Sequence, residues 1–264
     1  MKCALCGKEA KLMQSHIIPK FVYKRIKSSK NSRFRSLDNI KHIMQDGEKK
    51  QMLCHDCEEL FSVYEKEFVS QYFDYYLKTG KITCKTSDMV EKYFLTVAWR
   101  VLWYDLYRLN SHINNHFFRN IFEAFCNDLG KYLFSMRDNN SYPPSKFKTY
   151  VYKLDSLIKN KDILEFSEGC IFGYSFYQAK YNLISVIVYY AGLVFVTYYN
   201  YDKRRFIIIG QKHCISPAFI KKRLITKELE HHFLEMAYQY EEVMTPELQK
   251  AIQDYYEKHM WYSG

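Results

Sequence analysis

The spacing of apolar residues predicts helices in the first half of the chain. From Glu58 to Lys78, large apolar side chains recur at every third or fourth position, which is the period of an amphipathic helix, and Gly80 marks its end. A second helix is expected from Ser87 onward and a third from about Ile113 to Met136. Residues 1–58 show no helical period of comparable length, which indicates a small, irregular segment.

Beyond the polar segment 137–144 the apolar period changes to two, which predicts strands. The expected strands are Lys148–Lys153, Cys170–Gln178, Leu183–Tyr190, Leu193–Tyr199 and Arg205–Gln211. The helical period returns from about Thr226, and Thr245 with Pro246 begins a last helix towards Trp261. The order of elements therefore predicts an α+β protein, with helices first and then an antiparallel sheet followed by C-terminal helices.

One uncharged run requires a choice between a sheet and a membrane span. It extends from Leu183 to Tyr199, which is short for a transmembrane helix, and Ala191 with Gly192 interrupts it. A buried β-hairpin is expected there, with a transmembrane helix as the alternative. The chain does not begin with the pattern of a signal peptide and contains eight cysteines, so a reducing, cytoplasmic location is expected.

Two cysteine pairs predict a metal site in the N-terminal segment. Cys3-x-x-Cys6 and Cys54-x-x-Cys57 each allow one tight turn to supply two thiolates, and four thiolates satisfy the tetrahedral preference of zinc. The 47 residues between the pairs are acceptable because the cost of closing a loop grows only logarithmically with its length. A structural Zn²⁺ is expected, and two redox-active pairs are the alternative. The predicted organisation is a metal-bound head over residues 1–78, a helical segment over 79–140 and an α+β region over 141–264.

Positive charge is concentrated in the same segment. The chain has a formal net charge of +10, and residues 1–50 hold thirteen Lys or Arg against four acids, which leaves nine of the ten excess charges there. Such a concentration is typical of proteins that bind the phosphate backbone, so nucleic acid, and DNA in particular, is the expected partner. A solvated basic loop without a ligand is the alternative. The residues expected to contact nucleic acid are Lys20, Lys24, Arg25, Lys27, Lys30, Arg33, Phe34 and Arg35.

A histidine follows the first cysteine pair within an apolar segment, Ser15-His16-Ile17-Ile18-Pro19. A histidine beside a zinc site has three possible roles, which are metal ligand, packing residue and general base. Because four thiolates already complete the coordination of zinc, the ligand role is the weakest of the three.

These motifs together resemble a known endonuclease family. The first cysteine pair, the segment around His16 and the run Leu53-Cys54-x-x-Cys57-Glu58 resemble the HNH, or ββα-metal, endonuclease motif, which is built on a zinc-bound treble clef. A closer resemblance is to a group of bacterial proteins that share the pattern CxxC, SHIIPK, LCxxCExxxSxYE and a downstream WR, which suggests a role in bacterial defence or in a mobile element. It covers roughly residues 1–105, and no resemblance is found for residues 140–264.

The resemblance to the HNH family implies a metal-dependent endonuclease. His16 would take a proton from the attacking water, and a divalent ion, Mg²⁺ or Mn²⁺, would polarise the scissile phosphate. Glu58 stands where the family has a metal-binding histidine, and Glu65 or Ser15 is a possible further ligand. The structural alternatives are a packing role for His16, a favourable helix-dipole contact for Glu58 and a salt bridge between Glu65 and Arg100.

The sequence also departs from the family pattern. The aspartate that normally precedes the general-base histidine is Ser15, and the usual asparagine before the second cysteine pair has no counterpart at matching spacing. Two hypotheses therefore follow. The chain is either a metal-dependent endonuclease or a zinc-stabilised protein that binds nucleic acid or a protein partner without catalysis. In a further variant, residues 145–264 form a sensor or adaptor that controls the head.

Overall fold

The computed structural model describes residues 1–29, 34–35, 43–44, 46–82, 87–109, 116–136, 147–178, 183–199, 217–239 and 250. Within these residues the protein is α+β, as predicted. The predicted strand Arg205–Gln211 and the predicted last helix from Thr245 lie outside them. The elements in chain order are β1 (Leu12–His16), α1 (Lys20–Ser29), β2 (Phe34–Arg35), β3 (Ile43–Met44), β4 (Lys49–Cys54), α2 (His55–Phe68), a π-helical turn (Val69–Phe73), α3 (Asp74–Thr79), α4 (Asp88–Leu109), α5 (His116–Ser135), β5 (Phe147–Lys153), α6 (Leu154–Leu157), α7 (Lys161–Ser167), β6 (Phe172–Gln178), β7 (Leu183–Tyr190), β8 (Leu193–Tyr199) and α8 (Pro217–Gln239).

The largest sheet within the described residues has four antiparallel strands in the order β5-β8-β7-β6. β7 and β8 form the predicted hairpin, and its turn residues Ala191 and Gly192 have φ angles of 52° and 78°, which is the conformation of a two-residue hairpin turn. No helix in the described part of the chain is long and apolar enough to cross a membrane.

Both faces of this sheet are covered. On β7, Val186 and Val188 belong to the core shared with α4, whereas Ile187 and Tyr189 belong to a second core beneath α8. This explains why β7 and β8 are nearly continuous apolar runs, since a strand buried on both faces does not alternate with polar residues.

The N-terminal head shares its core with the helices and the sheet. The ring of Phe68, at the end of α2, stacks on Tyr93 of α4 with 3.9 Å between centroids and meets Phe195 of β8 at 6.2 Å. The hydroxyl of Tyr93 lies 2.8 Å from that of Tyr190, and the hydroxyl of Tyr76 donates to the backbone carbonyl of Ala191 at 2.9 Å. Aromatic packing and buried hydrogen bonds therefore hold the N-terminal head directly against the sheet.

Several helices were not anticipated or begin elsewhere than expected. α1 occupies a stretch interpreted as an irregular segment leading into a basic loop, and it forms because Val22 and Ile26 are buried one helical turn apart, just after Pro19. α8 begins at Pro217 rather than near Thr226. The short helix α7 is stabilised by Asn160, whose side chain accepts hydrogen bonds from the backbone at its first turn.

A buried carboxyl group joins α4 to the sheet edge and leads to a prediction about pH. Asp105 accepts two hydrogen bonds of 2.6 Å from the backbone nitrogen and the hydroxyl of Ser175. Burial raises the pKa of Asp105 from 3.8 to about 6, although these hydrogen bonds oppose the shift. The folded state therefore holds this proton more tightly than the unfolded chain does, so the stability that Asp105 contributes is present at low pH and decreases as pH rises through about 4 to 6.

We expect Asp105→Asn to remove that decrease, because the amide keeps an acceptor for Ser175 and cannot ionise. Relative to the natural protein, the variant should gain up to about 3 kcal/mol of unfolding free energy at pH 8 and little at about pH 4. Urea unfolding of both proteins at the two pH values measures this. An equal difference at both values would contradict the assignment.

Candidate metal centre and the adjoining histidine

The four cysteines of the N-terminal head meet at one point. The sulfurs of Cys3, Cys6, Cys54 and Cys57 all lie within 4.8 Å of one another, and the Cys6 and Cys54 sulfurs are 3.7 Å apart. A zinc ion with four sulfurs at 2.3 Å in a tetrahedron requires sulfur–sulfur separations of about 3.8 Å. The cluster could therefore hold a metal ion, and its donor set and spacing are consistent with structural zinc. No other cluster of three or more His, Cys, Asp or Glu residues with metal-binding geometry occurs in the described ranges.

Local backbone structure brings the two pairs together. The turn after Cys3 is closed by hydrogen bonds from the Cys3 nitrogen to the Lys8 carbonyl and from the Gly7 nitrogen to the Cys3 carbonyl, and Gly7 has a φ of 71° that suits glycine. This turn, residues 3–8, is called the cysteine knuckle below. Cys54 ends β4 and Cys57 lies in the first turn of α2, so the second pair faces the knuckle from the start of a helix.

The surroundings of the sulfurs favour a bound cation. Burial by itself would raise the pKa of the Cys3 thiol. Hydrogen bonds from the backbone of Cys6 and Cys54 outweigh this effect and lower the pKa to about 7. One of these bonds joins the Cys54 nitrogen to the Cys3 sulfur at 3.3 Å. Burial, reinforced by the neighbouring sulfurs, raises the pKa of Cys57. Four thiolates at this spacing repel one another, so a divalent cation among them would relieve the repulsion.

The residues predicted to be catalytic lie on β1 and on α2. β1 pairs with β4 in antiparallel fashion, with His16 opposite Lys49 and Ser15 opposite Lys50, and β4 leads directly into α2. Ser15 is fully buried, and its hydroxyl donates a hydrogen bond of 2.7 Å to the carboxylate of Glu58 in the first turn of α2. The strand position before the histidine and the acid after the second cysteine pair, both predicted as divalent-ion positions, are thus in direct contact.

His16 lies at the end of β1 with 14% of its side chain exposed. Its Nε2 atom is 3.4 Å from a carboxylate oxygen of Asp46, and the same carboxylate accepts a 2.8 Å contact from the ammonium of Lys49. Burial lowers the pKa of His16, with smaller contributions from the positive charges of Lys49 and Lys20, while Asp46 opposes the shift. The imidazole is therefore mostly neutral at neutral pH and is surrounded by two cations and one acid.

A glycine fixes the acid that contacts the histidine. Gly47 is buried with a φ of 84°, and a Cβ atom at this position would clash with the ring of Tyr23 on α1. Only glycine allows the backbone to pass this close to the ring, and the neighbouring Asp46 is thereby directed to His16.

Glu65 was predicted either as a further metal ligand or as a partner of Arg100, and in the structure it is paired with Arg100. A guanidinium nitrogen of Arg100 donates to its carboxylate at 2.8 Å, and Arg100 itself is only 1% exposed. Burial raises the pKa of Glu65. The charge of Glu58 raises it further, whereas the neighbouring Arg100 acts in the opposite direction. The other two guanidinium nitrogens of Arg100 have no hydrogen-bond partner among the residues that the structure describes, and the guanidinium carbon lies 5.0 Å from the ring centre of Phe61.

The predicted nucleic-acid contacts are only partly described by the structure. Lys20 and Lys24 are exposed on α1, whereas Arg25 forms a two-point ion pair with Asp74 at 2.8 and 3.2 Å. Lys27 lies in α1, and Phe34 and Arg35 form β2, but their side chains are outside the description, as are Lys30 and Arg33 entirely.

Sequence reasoning missed Asp46. Its position before Gly47 indicates a turn, but no spacing relates it to His16, because the two residues meet only through the pairing of β1 with β4. Comparisons with protein-family models, curated proteins and solved structures found no match to this chain.

Proposed function

We propose that this protein is a metal-dependent endonuclease that hydrolyses phosphodiester bonds in nucleic acid, DNA in particular, with His16 as the general base and the four cysteines holding a structural zinc ion. The observation that carries the proposal is the position of His16. It ends a strand that pairs with the strand entering the cysteine cluster, its side chain reaches the surface, and Asp46 contacts its ring.

The contact between His16 and Asp46 supports the proposed role of general base. The bond to Asp46 orients the imidazole, and the opposite ring nitrogen is then available to accept a proton from water. Lys20 and Lys49 add positive charge next to the ring, which favours the approach of a phosphate group. Exposed Lys20 and Lys24 on α1 extend this charge along the surface.

The residues around Ser15 offer one carboxylate for a divalent ion. Magnesium commonly takes one or two protein carboxylates together with water and substrate phosphates, so Glu58 with the Ser15 hydroxyl fits a minimal site of that kind. When bound there, the ion would supply positive charge to the scissile phosphate. Glu58 would hold the ion, Ser15 would hold Glu58, and His16 would move the proton.

The test is cleavage of plasmid DNA and of RNA with Mg²⁺ or Mn²⁺ by purified protein of known zinc content. We expect cleavage by the natural protein and a rate lower by about 10²- to 10⁴-fold for His16→Ala, because a positioned general base contributes that much. His231→Ala on α8 is the matched control and should retain the rate. Glu58→Gln should also reduce it, whereas Glu59→Gln, one residue along the same helix, should not.

Failure of the natural protein to cleave either nucleic acid with either ion would refute the endonuclease proposal. Equal rates for His16→Ala and the natural protein would refute the role of the histidine.

One observation favours the second candidate, a zinc-stabilised binding protein without catalysis. The carboxylates of Glu58 and Glu65 are both engaged, by Ser15 and by Arg100, and Ser15 is fully buried. This candidate predicts nucleic-acid binding that weakens with salt and is unchanged in His16→Ala, together with no cleavage.

A further inference from the structure

A cleft opens beside the cysteine knuckle, lined in part by Ala4 and Leu5. It has a volume of about 360 Å³ and lies between α4 and α5, with Leu5 of the knuckle at one end. This volume is within the range of small-molecule sites, which begins at about 300 Å³. The cleft is thus large enough to hold one nucleobase with its sugar.

Aromatic side chains of α4 form one wall. Trp103 and Tyr107 lie one turn apart with their rings nearly parallel, 5.7 Å between centroids and 19° between planes. Tyr107 is 53% exposed, so much of this aromatic surface faces solvent. Deeper in the cleft, Trp99 is buried against Gly130 of α5, where a Cβ atom would lie 2.9 Å from the indole nitrogen. The glycine therefore keeps the cleft open to the edge of that ring.

The rim is polar and positively charged. Asn127 and Lys131 are exposed on α5 and line the opposite wall. The ammonium of Lys50, on β4, lies 5.2 Å from the ring centre of Tyr107. The one acid in the lining, Glu123, is paired with Arg119 at 2.7 Å, so its negative charge is compensated.

We propose that this cleft binds a single unstacked nucleobase together with its phosphate. Trp103 and Tyr107 offer a flat face for stacking, the amide of Asn127 offers a donor and an acceptor to a base edge, and Lys131 and Lys50 offer charge to the phosphate. An apolar side chain of a protein would use the aromatic wall but not the amide and the two ammonium groups.

The location of the cleft is compatible with the site at His16. Lys50 follows Lys49 on β4, and Lys49 lies opposite His16 in the β1–β4 pair. A nucleotide bound at the cleft would therefore contact the strand that borders His16. The inference concerns binding alone, so it stands or falls independently of the cleavage proposed above.

Tryptophan emission reports occupancy of the cleft. The chain has three tryptophans, of which Trp99 and Trp103 line the cleft, so Trp261→Phe leaves only emission from these two. The probes are AMP, UMP, a short single-stranded oligodeoxynucleotide and its duplex, added without a divalent ion. We expect quenching by the single strand or by the mononucleotides, because a base stacks on Trp103.

Matched variants test the residues. Tyr107→Ala should weaken binding by about tenfold or more, since base stacking on an aromatic ring commonly contributes this much, and Lys131→Gln should weaken it less. Tyr238→Ala is the control, because this tyrosine of α8 is equally exposed, at 58%.

Each outcome either identifies the source of the bound nucleobase or contradicts the proposal. Quenching by mononucleotides identifies a free nucleotide as ligand, and quenching by the oligonucleotide alone identifies an unpaired base of a strand. No quenching by any probe, quenching by the duplex alone, or equal affinities for Tyr107→Ala and Tyr238→Ala would overturn the proposal.

Discussion

Replacing Cys57 by serine is expected to release the bound zinc and to lower the thermal midpoint by roughly 10 °C or more. Cys57 is buried in the first turn of α2, and its sulfur belongs to the four-sulfur cluster that joins residues far apart in sequence. Binding of structural zinc is coupled to folding, and a loss of several kcal/mol corresponds to such a shift for a chain of this size. Metal analysis of the purified protein and calorimetry measure the two effects.

A second, partly buried cysteine provides the control. Cys170 lies outside the cluster and its thiol donates to the carbonyl of Phe166 at 3.4 Å, a bond that serine can also form. Cys170→Ser should therefore keep its zinc and change the midpoint by only a few degrees. Natural protein without stoichiometric zinc, or Cys57→Ser with an unchanged midpoint, would show that the cysteines are not a metal centre.

Replacement of Arg100 by methionine is expected to reduce the unfolding free energy by about 3–5 kcal/mol at pH 8, because it leaves the carboxylate of Glu65 in a largely buried position without its partner. The loss should diminish as pH falls, since an unpaired and buried carboxyl group takes up a proton and becomes neutral. Urea unfolding at pH 8 and at about pH 5 measures both parts of this expectation.

A double variant separates the ion pair from its surroundings. Arg100→Met combined with Glu65→Leu removes both charges, and such replacements of buried pairs are often neutral or stabilising, so most of the stability should return. The exposed pair of Arg25 and Asp74 is the control, and Arg25→Met should cost less than about 1 kcal/mol. A double variant as unstable as Arg100→Met alone would mean that Arg100 acts through its contact with Phe61 and not through its pairing with Glu65.

The sequence predicted the parts of the fold that depend on local pattern. The long helices follow an apolar period of about four, and β5 and β6 alternate with a period of two. β7 and β8 are apolar runs separated by Ala191 and Gly192, a turn that has its own conformational signature. The cysteine cluster was also predictable, because the pairs have a spacing that zinc sites share.

The missed features depend on contacts between distant residues or on competing signals. In α1 the charged residues obscured the buried positions Val22 and Ile26, which have helical spacing. Asp46 meets His16 only through strand pairing and through a glycine, Gly47, that is required by the ring of Tyr23. The sequence left two roles for Glu65, metal ligand and partner of Arg100. Helix spacing indicates which face of the helix a residue occupies but not which residue it contacts there.

The π-helical turn Val69–Phe73 lets α2 and α3 contact two different neighbours. An α-helix advances by 100° per residue, so the one extra residue of a π turn rotates all that follows by about that angle. Phe68 before the turn faces the ring of Tyr93, and Tyr76 after it reaches the β7–β8 turn. The number of residues in this turn is therefore more constrained than their identity. Deleting one of them would redirect Tyr76 while leaving the cysteine end of α2 in place.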